Sequence, residues 1–458
     1  MVFSSLTFLL LFLPITICLY YITDNVRVKN IILLAASLVF YAWGEPVYIV
    51  LIVLSVLFNY YVGCDLHEMS KSGKGNRKLA LIIALAVNIA LLGYFKYSGF
   101  LIDSINGITG LSIPYRELAL PIGISFYTFQ AVSYIIDVYR GREAESKLLN
   151  FAVYITMFPQ LIAGPIVRLD DIAAKLEDRK YSPTEFREGF LIFAKGLAKK
   201  IIIADTLGQF HDSIMLAGPS SAGMAWLGAI AYTLQIFNDF SGYSDMAIGL
   251  GKMLGFSFPM NFDRPYISTS ITEFWRRWHM TLSSWFKEYI YIPLGGNRKG
   301  VKRQIINLLI VWSLTGLWHG ASWNFVAWGL YYGLLLIFEK FIYSKTQKKL
   351  PIGVNWIITQ IVVVFGWVIF FSPSLGSALS YIGYMFGINV PFWDANVWFN
   401  IMSNLFIFAL GMLMAVIPNG VVKKLSPLMK WILSFGLVIL SIFFLVSGTY
   451  NAFLYFRF

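Results

Sequence analysis

Apolar runs long enough to cross a bilayer recur along the chain, separated by short polar or basic loops. About 20 apolar residues in an α-helix span the hydrocarbon core of a membrane. The pattern therefore predicts an all-α, polytopic integral membrane protein with about 11–12 crossings. The clearest runs are Leu6–Tyr21, Ile31–Trp43, Val47–Val62, Leu79–Phe95, Leu118–Val138, Trp226–Leu250, Ala321–Phe338, Trp356–Phe371, Ile401–Ile417 and Trp431–Val446.

Several runs are too irregular for a helix that faces lipid. Leu118–Val138 contains Pro121 and Gly123, and Phe151–Ile166 contains Pro159 and the pair Gly164-Pro165. Irregular backbone at membrane depth survives only where protein or a water-filled cavity covers it. We expect re-entrant structure here and an amphipathic, interfacial segment over Arg168–Glu188.

The second half of the run Trp226–Leu250 carries two carboxylates, Asp239 and Asp245. A carboxylate that faces lipid is costly, so both are expected to face protein or water and are candidate substrate-binding residues. Paired carboxylates in a span are also typical of proton relays. A transporter or flippase is therefore a hypothesis from a different class, although the sequence shows no internal repeat.

Composition agrees with the membrane prediction and argues against a nucleic-acid-binding or disulfide-rich protein. Hydrophobic residues make up 58% of the 458 residues and charged residues 13%. Mean hydropathy is +0.67. The net charge of +12 is divided among short loops such as Lys71–Lys78 and Lys340–Lys349. The positive-inside rule places these loops in the cytoplasm, and no basic face for a nucleic acid is present. Cys18 and Cys64 have neither disulfide nor zinc spacing.

Two of the four histidines stand out because a tryptophan directly precedes each. His279 lies in a polar segment, which suggests the aqueous side, and His319 lies near the end of an apolar run. An ionisable side chain at membrane depth is a candidate functional residue. Histidine is a base near neutral pH, the property that acyl transfer to a hydroxyl requires. The pair has no metal-binding pattern, so no metal site is expected.

Several longer motifs surround these histidines in order along the chain. They are LPIGISFYTFQAVSYIIDVYRG (residues 120–141), FPQLIAGPIVR (158–168), QIFNDFSGYSDMAIGLG (235–251), NFDRPYISTSITEFWRRWHMTLSSWFKEYIYIPLGGNR (261–298) and LTGLWHGASWNFVAWGLYYG (314–333). In these motifs the chain resembles the membrane-bound O-acyltransferase superfamily, and within it the branch of the alginate O-acetyltransferase membrane subunit. The likeness extends to the closing Phe453–Phe458.

The resemblance implies a catalytic His319 in the membrane core, a second signature histidine at His279, and a tunnel for the acyl group. Around them, the indole of Trp318 and the amide of Asn324 are candidate donors to a developing oxyanion. Arg276 and Arg277 are candidates for contact with the phosphates of coenzyme A. Further cations in the same motif with this candidate role are Arg264, Lys287 and Arg298.

The sequence thus predicts one polytopic acyltransferase domain over residues 1–458. Its predicted location is the cytoplasmic membrane. It would bind no cofactor permanently and would use acetyl-CoA as donor substrate. The expected acceptor is a hydroxyl of an extracytoplasmic cell-envelope polysaccharide, alginate-like or peptidoglycan. A separate extracytoplasmic protein is the expected partner, besides membrane lipid. D-alanyl transfer to teichoic acid and acylation of a protein are alternatives within the same superfamily.

Overall fold

The computed structural model describes residues 1–116, 118–162, 164–346, 350–418 and 425–448. Within these ranges every regular element is helical, which confirms the all-α prediction. The predicted likeness at Phe453–Phe458 and the last part of the basic loop Lys340–Lys349 lie outside the described residues. The chain divides into two compact units, residues 1–193 with 246–259, and residues 194–245 with 260–458. The prediction of one functional domain stays a prediction.

The first regular element of the first unit is a π-helical turn, Phe8–Phe12. The longer segment of this unit, residues 1–193, ends within α9. Its helices are α1 (Leu13–Tyr21), α2 (Val26–Gly44), α3 (Ile49–Ser72), α4 (Arg77–Thr109), α5 (Ile124–Tyr139), α6 (Leu148–Thr156), α7 (Phe158–Leu161), α8 (Leu169–Glu177) and most of α9 (Pro183–Ala198).

The second unit contains π-helical turns at Lys199–Ala204 and Lys287–Tyr291, and the greater part of α11. Its helices are α10 (Asp205–Ala217), α11 (Ala222–Met253), α12 (Ile271–Arg277), α13 (Met280–Phe286), α14 (Gly300–His319), α15 (Trp323–Phe341), α16 (Ile352–Phe371), α17 (Leu375–Met385), α18 (Ala395–Val416) and α19 (Pro427–Ser447).

Local sequence explains where helices begin. The side chain of Asn25 accepts hydrogen bonds from the backbone N–H groups of Arg27 (2.9 Å) and Val28 (3.3 Å) and so caps α2. Asn76 caps α4 in the same way, through the N–H of Leu79 at 3.0 Å. Asparagine is a favoured capping residue because its side-chain oxygen satisfies N–H groups that have no partner inside the helix.

Seven helices in the described residues are long and apolar enough to cross a membrane. They are α2, α3, α4, the segment Trp323–Lys345 that contains α15, α16, α18 and α19. This makes the chain a multi-pass membrane protein. The number is smaller than the predicted 11–12 because the other predicted runs form shorter or more polar helices. Phe151–Ile166, for example, begins within the short helix α6 and includes the short helix α7, in agreement with its predicted broken character.

In the second unit, α14 and α15 form a tightly packed pair around glycines. A Cβ atom on Gly316 would lie 2.1 Å from the carbonyl oxygen of Phe325. A Cβ atom on Gly329 would lie 2.2 Å from the carbonyl oxygen of Trp312. Only glycine permits such an approach of two helix backbones, which is the mode of packing that membrane helices favour. The pair fixes the end of α14, where His319 lies.

Candidate active site

His319 is the last residue of α14 and is buried in an aromatic shell. Its ring centroid lies 5.0 Å from that of Trp318, 5.0 Å from Trp328 on α15 and 5.3 Å from Phe370 on α16. Three edge-to-face contacts hold the imidazole ring in one place. Gly320 follows in an extended conformation and ends the helix directly after the histidine.

His279 lies between α12 and α13 and is only 1% exposed. The expectation that it faces the aqueous side was therefore wrong. The charged sequence around it misled the prediction, because the chain turns at His279 with a positive φ of 44° and directs the ring inwards. Burial lowers the pKa of His279 from 6.5 to about 3. Its imidazole is consequently neutral at physiological pH.

The tautomer of His279 follows from its partner, Asn261. The backbone N–H of Thr281 donates to Asn261 Oδ1 at 3.3 Å, and the Thr281 hydroxyl donates to the same atom at 2.9 Å. This atom must therefore be the amide oxygen, an acceptor. His279 Nδ1 lies 3.1 Å from it and must carry the proton. The basic lone pair of the neutral ring is then on Nε2.

Trp318 lies between the two histidines. Its ring centroid is 5.8 Å from that of His279 and 5.0 Å from that of His319. The ring centroid of Phe240 of α11 lies 4.7 Å from that of His279. Residues that are 40 positions apart in the sequence thus share one aromatic core in the second unit. The structure brings together three of the predicted site residues, His279, Trp318 and His319.

Such a core can support acid–base chemistry. A neutral imidazole that is held by ring contacts keeps one orientation and needs little reorganisation when it takes a proton. Apolar neighbours exclude water, which strengthens electrostatic interactions inside the site. A reaction of an activated ester with a hydroxyl suits these conditions, because water would otherwise compete as the acceptor.

Asn324 contacts the end of α16. Its amide nitrogen donates to the carbonyl oxygen of Ile369 and, at 2.8 Å, to that of Ser372. Both amide hydrogens are used in these bonds, so donation to an oxyanion would require one of them to break, and that role stays a prediction. Asn324 thereby joins α15 to the end of α16, the helix that carries Phe370.

The two arginines of α12 differ in what they contact. Arg277 forms ion pairs with Glu273 at 3.0 Å and with Asp263 at 3.1 Å. Arg276 is exposed and has no ion-pair partner among the residues that the structure describes. Of the two, Arg276 remains available to an anionic ligand. Arg264 is paired with Asp263 at 3.1 Å. Contact of these cations with donor phosphates stays a prediction.

Asp245 faces lysines and not lipid. Its carboxylate lies 3.1 Å from Lys195 Nζ and 3.2 Å from Lys199 Nζ. These lysines come from the end of α9 and the π-helical turn that follows it. The structure buries Lys199 against the acidic side of α11.

Asp239 belongs to a similar network. Lys200 Nζ lies 3.5 Å from Asp239 and 2.5 Å from Asp205, and all three residues are buried. Both carboxylates therefore face protein, as predicted. Their cationic partners were not recognised in the sequence, because the ionic pairs join different helices and have no fixed spacing. A role in substrate binding stays a prediction.

Two further residues of the site escaped the sequence analysis. Asn261 sets the tautomer of His279, and Trp328 forms one wall around His319. Both lie in the quoted motifs, but nothing in the spacing tied either to a histidine. Across the described residues, no group of three or more His, Cys, Asp or Glu side chains could hold a metal ion.

Comparison with known proteins gives a family and several relatives. Residues 55–382 match the profile described as MBOAT, membrane-bound O-acyltransferase family. A probable alginate O-acetylase of Pseudomonas putida is 46% identical over 84% of this chain and 80% of its own length. A peptidoglycan O-acetyltransferase of Helicobacter pylori is 37% identical over 85% of this chain and 80% of its own. A teichoic acid D-alanyltransferase of Bacillus subtilis is 30% identical over 56% of this chain and 69% of its own.

Proposed function

This chain belongs to the membrane-bound O-acyltransferase family and is an acyltransferase, and from that premise we propose that it O-acetylates an extracytoplasmic cell-envelope polysaccharide. The donor is a cytoplasmic thioester, acetyl-CoA. The acetyl group reaches the outer side through the protein, and a separate extracytoplasmic protein completes the transfer to the polysaccharide. The enzyme acts in the cytoplasmic membrane.

In the proposed reaction His319 is the general base. Its neutral imidazole takes the proton of the hydroxyl that first receives the acetyl group, and the oxygen of that hydroxyl attacks the thioester carbonyl. The C–S bond breaks, the ester forms, and the departing thiolate takes the proton back. A thioester is already activated, so no serine nucleophile is required. His279, with Nδ1–H held by Asn261, presents its unprotonated Nε2 as a hydrogen-bond acceptor in the same aromatic core.

One observation carries this proposal: Trp318 joins both histidines in one buried core. The named relatives support the choice of acetyl group and polysaccharide. Two of them, at 46% and 37% identity, are named for O-acetylation of alginate and of peptidoglycan.

The decisive experiment supplies purified protein with [acetyl-¹⁴C]acetyl-CoA and measures label on CoA, on protein and on added polysaccharide. Label should leave CoA in the wild type and remain there in His319→Gln. In parallel, a deletion strain should lose O-acetyl groups from an envelope polysaccharide. Retained O-acetyl groups and inert acetyl-CoA would together refute the proposal.

D-alanyl transfer to teichoic acid remains as a second candidate, because relatives with that name match about half of the chain. The same assay separates the two reactions when a D-alanyl thioester of a carrier protein replaces acetyl-CoA. Turnover of the D-alanyl thioester with acetyl-CoA left intact would favour the alternative.

A further inference from the structure

The first unit contains a small pocket with a cationic lining. Its walls come from the end of α1, the first turn of α2, the segment between α8 and α9, and the end of α11. Four cations line the pocket, Lys29, Arg179, Lys180 and Lys252, and Glu185 is the one carboxylate among its lining residues. Lys252 is paired with Glu188 at 2.5 Å. The lining retains a positive charge that would attract an anion.

Lys29 is the central cation of this pocket. Its side chain is 2% exposed, and its Nζ atom lies 5.2 Å and 5.4 Å from the ring centroids of Tyr20 and Tyr21. Its ion-pair partner is the fully exposed Asp24, at 3.8 Å. Among the described residues, the structure shows no hydrogen bond from Nζ, and Asp24 lies beyond hydrogen-bond distance. The ammonium group has three N–H donors, so a ligand oxygen in the pocket would find a donor there.

Arg179 places a second positive charge in a fixed position. Its guanidinium group donates to the Tyr20 hydroxyl at 3.0 Å, to the Lys175 carbonyl oxygen at 2.6 Å and to Asn30 Oδ1 at 2.5 Å. It also lies 4.4 Å from the ring centroid of Phe256. Of the five N–H donors of a guanidinium group, these bonds use three. The group is thus held in place before any ligand arrives, and two donors remain.

The two tyrosines form a rigid wall. The Tyr20 hydroxyl donates to the carbonyl oxygen of Leu254 at 2.6 Å, and the Tyr21 hydroxyl donates to that of Met253. Their rings therefore stay beneath the ammonium group of Lys29. The inner space of the pocket has a volume of about 10 Å³, enough for one oxygen-sized atom. With the open mouth included, the empty volume is about 250 Å³. One oxygen of a tetrahedral anion can enter while the rest remains in the mouth.

We infer that this pocket binds a phosphate group, with one phosphate oxygen at Lys29 and Arg179. Lys29 lies in the first turn of Val26–Gly44, one of the candidate membrane spans, and so at the edge of the membrane. Basic pockets at this level bind the phosphate groups of anionic lipids. A soluble phosphate ester, such as the diphosphate of CoA, has the same chemistry. Binding of a lipid phosphate is independent of the proposed function, whereas binding of CoA rests on it.

The test measures thermal unfolding of the full-length protein in a neutral detergent, because a ligand that binds the folded state raises its Tm. The probes are phosphatidylglycerol and CoA. Each has a partner without phosphate, diacylglycerol and pantetheine. At equal ionic strength, we expect at least one phosphate-bearing probe to raise the Tm and its partner to have no effect. The phosphate-bearing probe whose effect on the Tm is weakened by Lys29→Met identifies the source.

Lys29→Met keeps the aliphatic stem and removes the charge, so affinity should fall roughly tenfold or more, the usual effect of one charged hydrogen bond. Lys29→Arg should keep binding, and Lys74→Met should bind as the wild type because Lys74 is an exposed loop cation. Should Lys29→Met fail to fold, Lys180→Met at the exposed mouth should still weaken binding.

Wild-type affinity in Lys29→Met and Lys180→Met, or no response to either phosphate-bearing probe, would overturn the inference. Failure of the proposed reaction is read separately, from acetyl transfer by the His319→Gln variant and the wild type.

Discussion

Burial determines what each histidine of this protein can do. His279 and His319 are 1% and 6% exposed and share contacts with Trp318. Desolvation lowers the proton affinity of a buried imidazole, but the ring then acts on a hydroxyl where water neither competes as acceptor nor screens the charge that develops. The same burial makes the ring sensitive to protonation. Both properties lead to measurable predictions.

Replacement of His319 by glutamine should lower acyl transfer by roughly 10²–10⁴-fold, because glutamine retains approximate volume but cannot take a proton at neutral pH. The protein should still fold. His211→Gln is the matched control: His211 is also buried, and its Nδ1 lies 3.0 Å from the Gly228 carbonyl oxygen. Transfer should be measured with labelled donor. Near-normal transfer by a well-folded His319→Gln protein would exclude the proposed role.

His279 should make stability depend on pH. Its pKa is about 3 in the folded protein and about 6.5 when the chain is unfolded, so the unfolded state binds more protons between these values. The contribution of neutral His279 is complete above about pH 6.5 and is lost as pH falls towards 3. From pH 7 to pH 4, the Tm should fall further in the wild type than in His279→Gln. Parallel Tm profiles would contradict the assigned burial.

At the scale of elements, contact between helix backbones places the aromatic shell. Gly316 and Gly329 let α14 and α15 approach so closely that the end of α14 meets Trp328. Asn324 then connects α15 to the end of α16. A second connection is ionic: Lys199 and Lys200 of the π-helical turn pair with carboxylates of α11. Hydrophobic contact alone gives little preference for one helix register in a membrane, so these polar and close contacts determine the arrangement.

Gly329→Ala should destabilise the protein by about 1–3 kcal/mol, the usual cost of overpacking. The added methyl group would lie 2.2 Å from the Trp312 carbonyl oxygen, so the backbones of α14 and α15 must separate. Gly436→Ala in α19 is the control, because a Cβ atom there meets nothing within 4 Å. Thermal unfolding of both variants gives the comparison. Equal Tm values for Gly329→Ala and the wild type would show that α14 and α15 can accommodate the methyl group and would contradict the prediction.

At the scale of the whole molecule, the distribution of cations predicts the orientation in the membrane. The described cations of Lys71–Lys78 and Lys340–Lys349 lie at the ends of candidate spans or between them, as the positive-inside rule requires of the cytoplasmic side. The proposed donor is cytoplasmic and would enter from that side, and the proposed acceptor lies on the other side. Orientation is therefore part of the proposed reaction.

Cysteines at Ser72 and Ser344 should not react with a membrane-impermeant thiol reagent in intact cells, because both positions are predicted to be cytoplasmic. Both should react after the cells are broken. The background is Cys18→Ser with Cys64→Ser, since Cys18 is exposed. Gly376→Cys is the positive control: it lies beyond the far end of α16, and a Cβ atom there meets only Ser374 Oγ, at 3.8 Å. Labelling of Ser72→Cys or Ser344→Cys in intact cells would reverse the orientation.

The sequence by itself determined the class of structure and the chemistry. Apolar runs near 20 residues indicate membrane helices, because the bilayer requires that length, and the motifs around His279 and His319 indicate the family. Broken runs such as Phe151–Ile166 were recognised from proline and glycine. These inferences succeeded because each depends on residues that are close together in the chain.

Only the tertiary structure decided which side chains meet. The burial of His279, the tautomer set by Asn261, the position of Trp318 between two histidines and the lysine partners of Asp239 and Asp245 all join distant segments. Local polarity even suggested the wrong environment for His279, because burial depends on how helices pack and not on the charge of adjacent residues. Contacts between helices have no fixed sequence spacing, and packing of the folded chain alone specifies them.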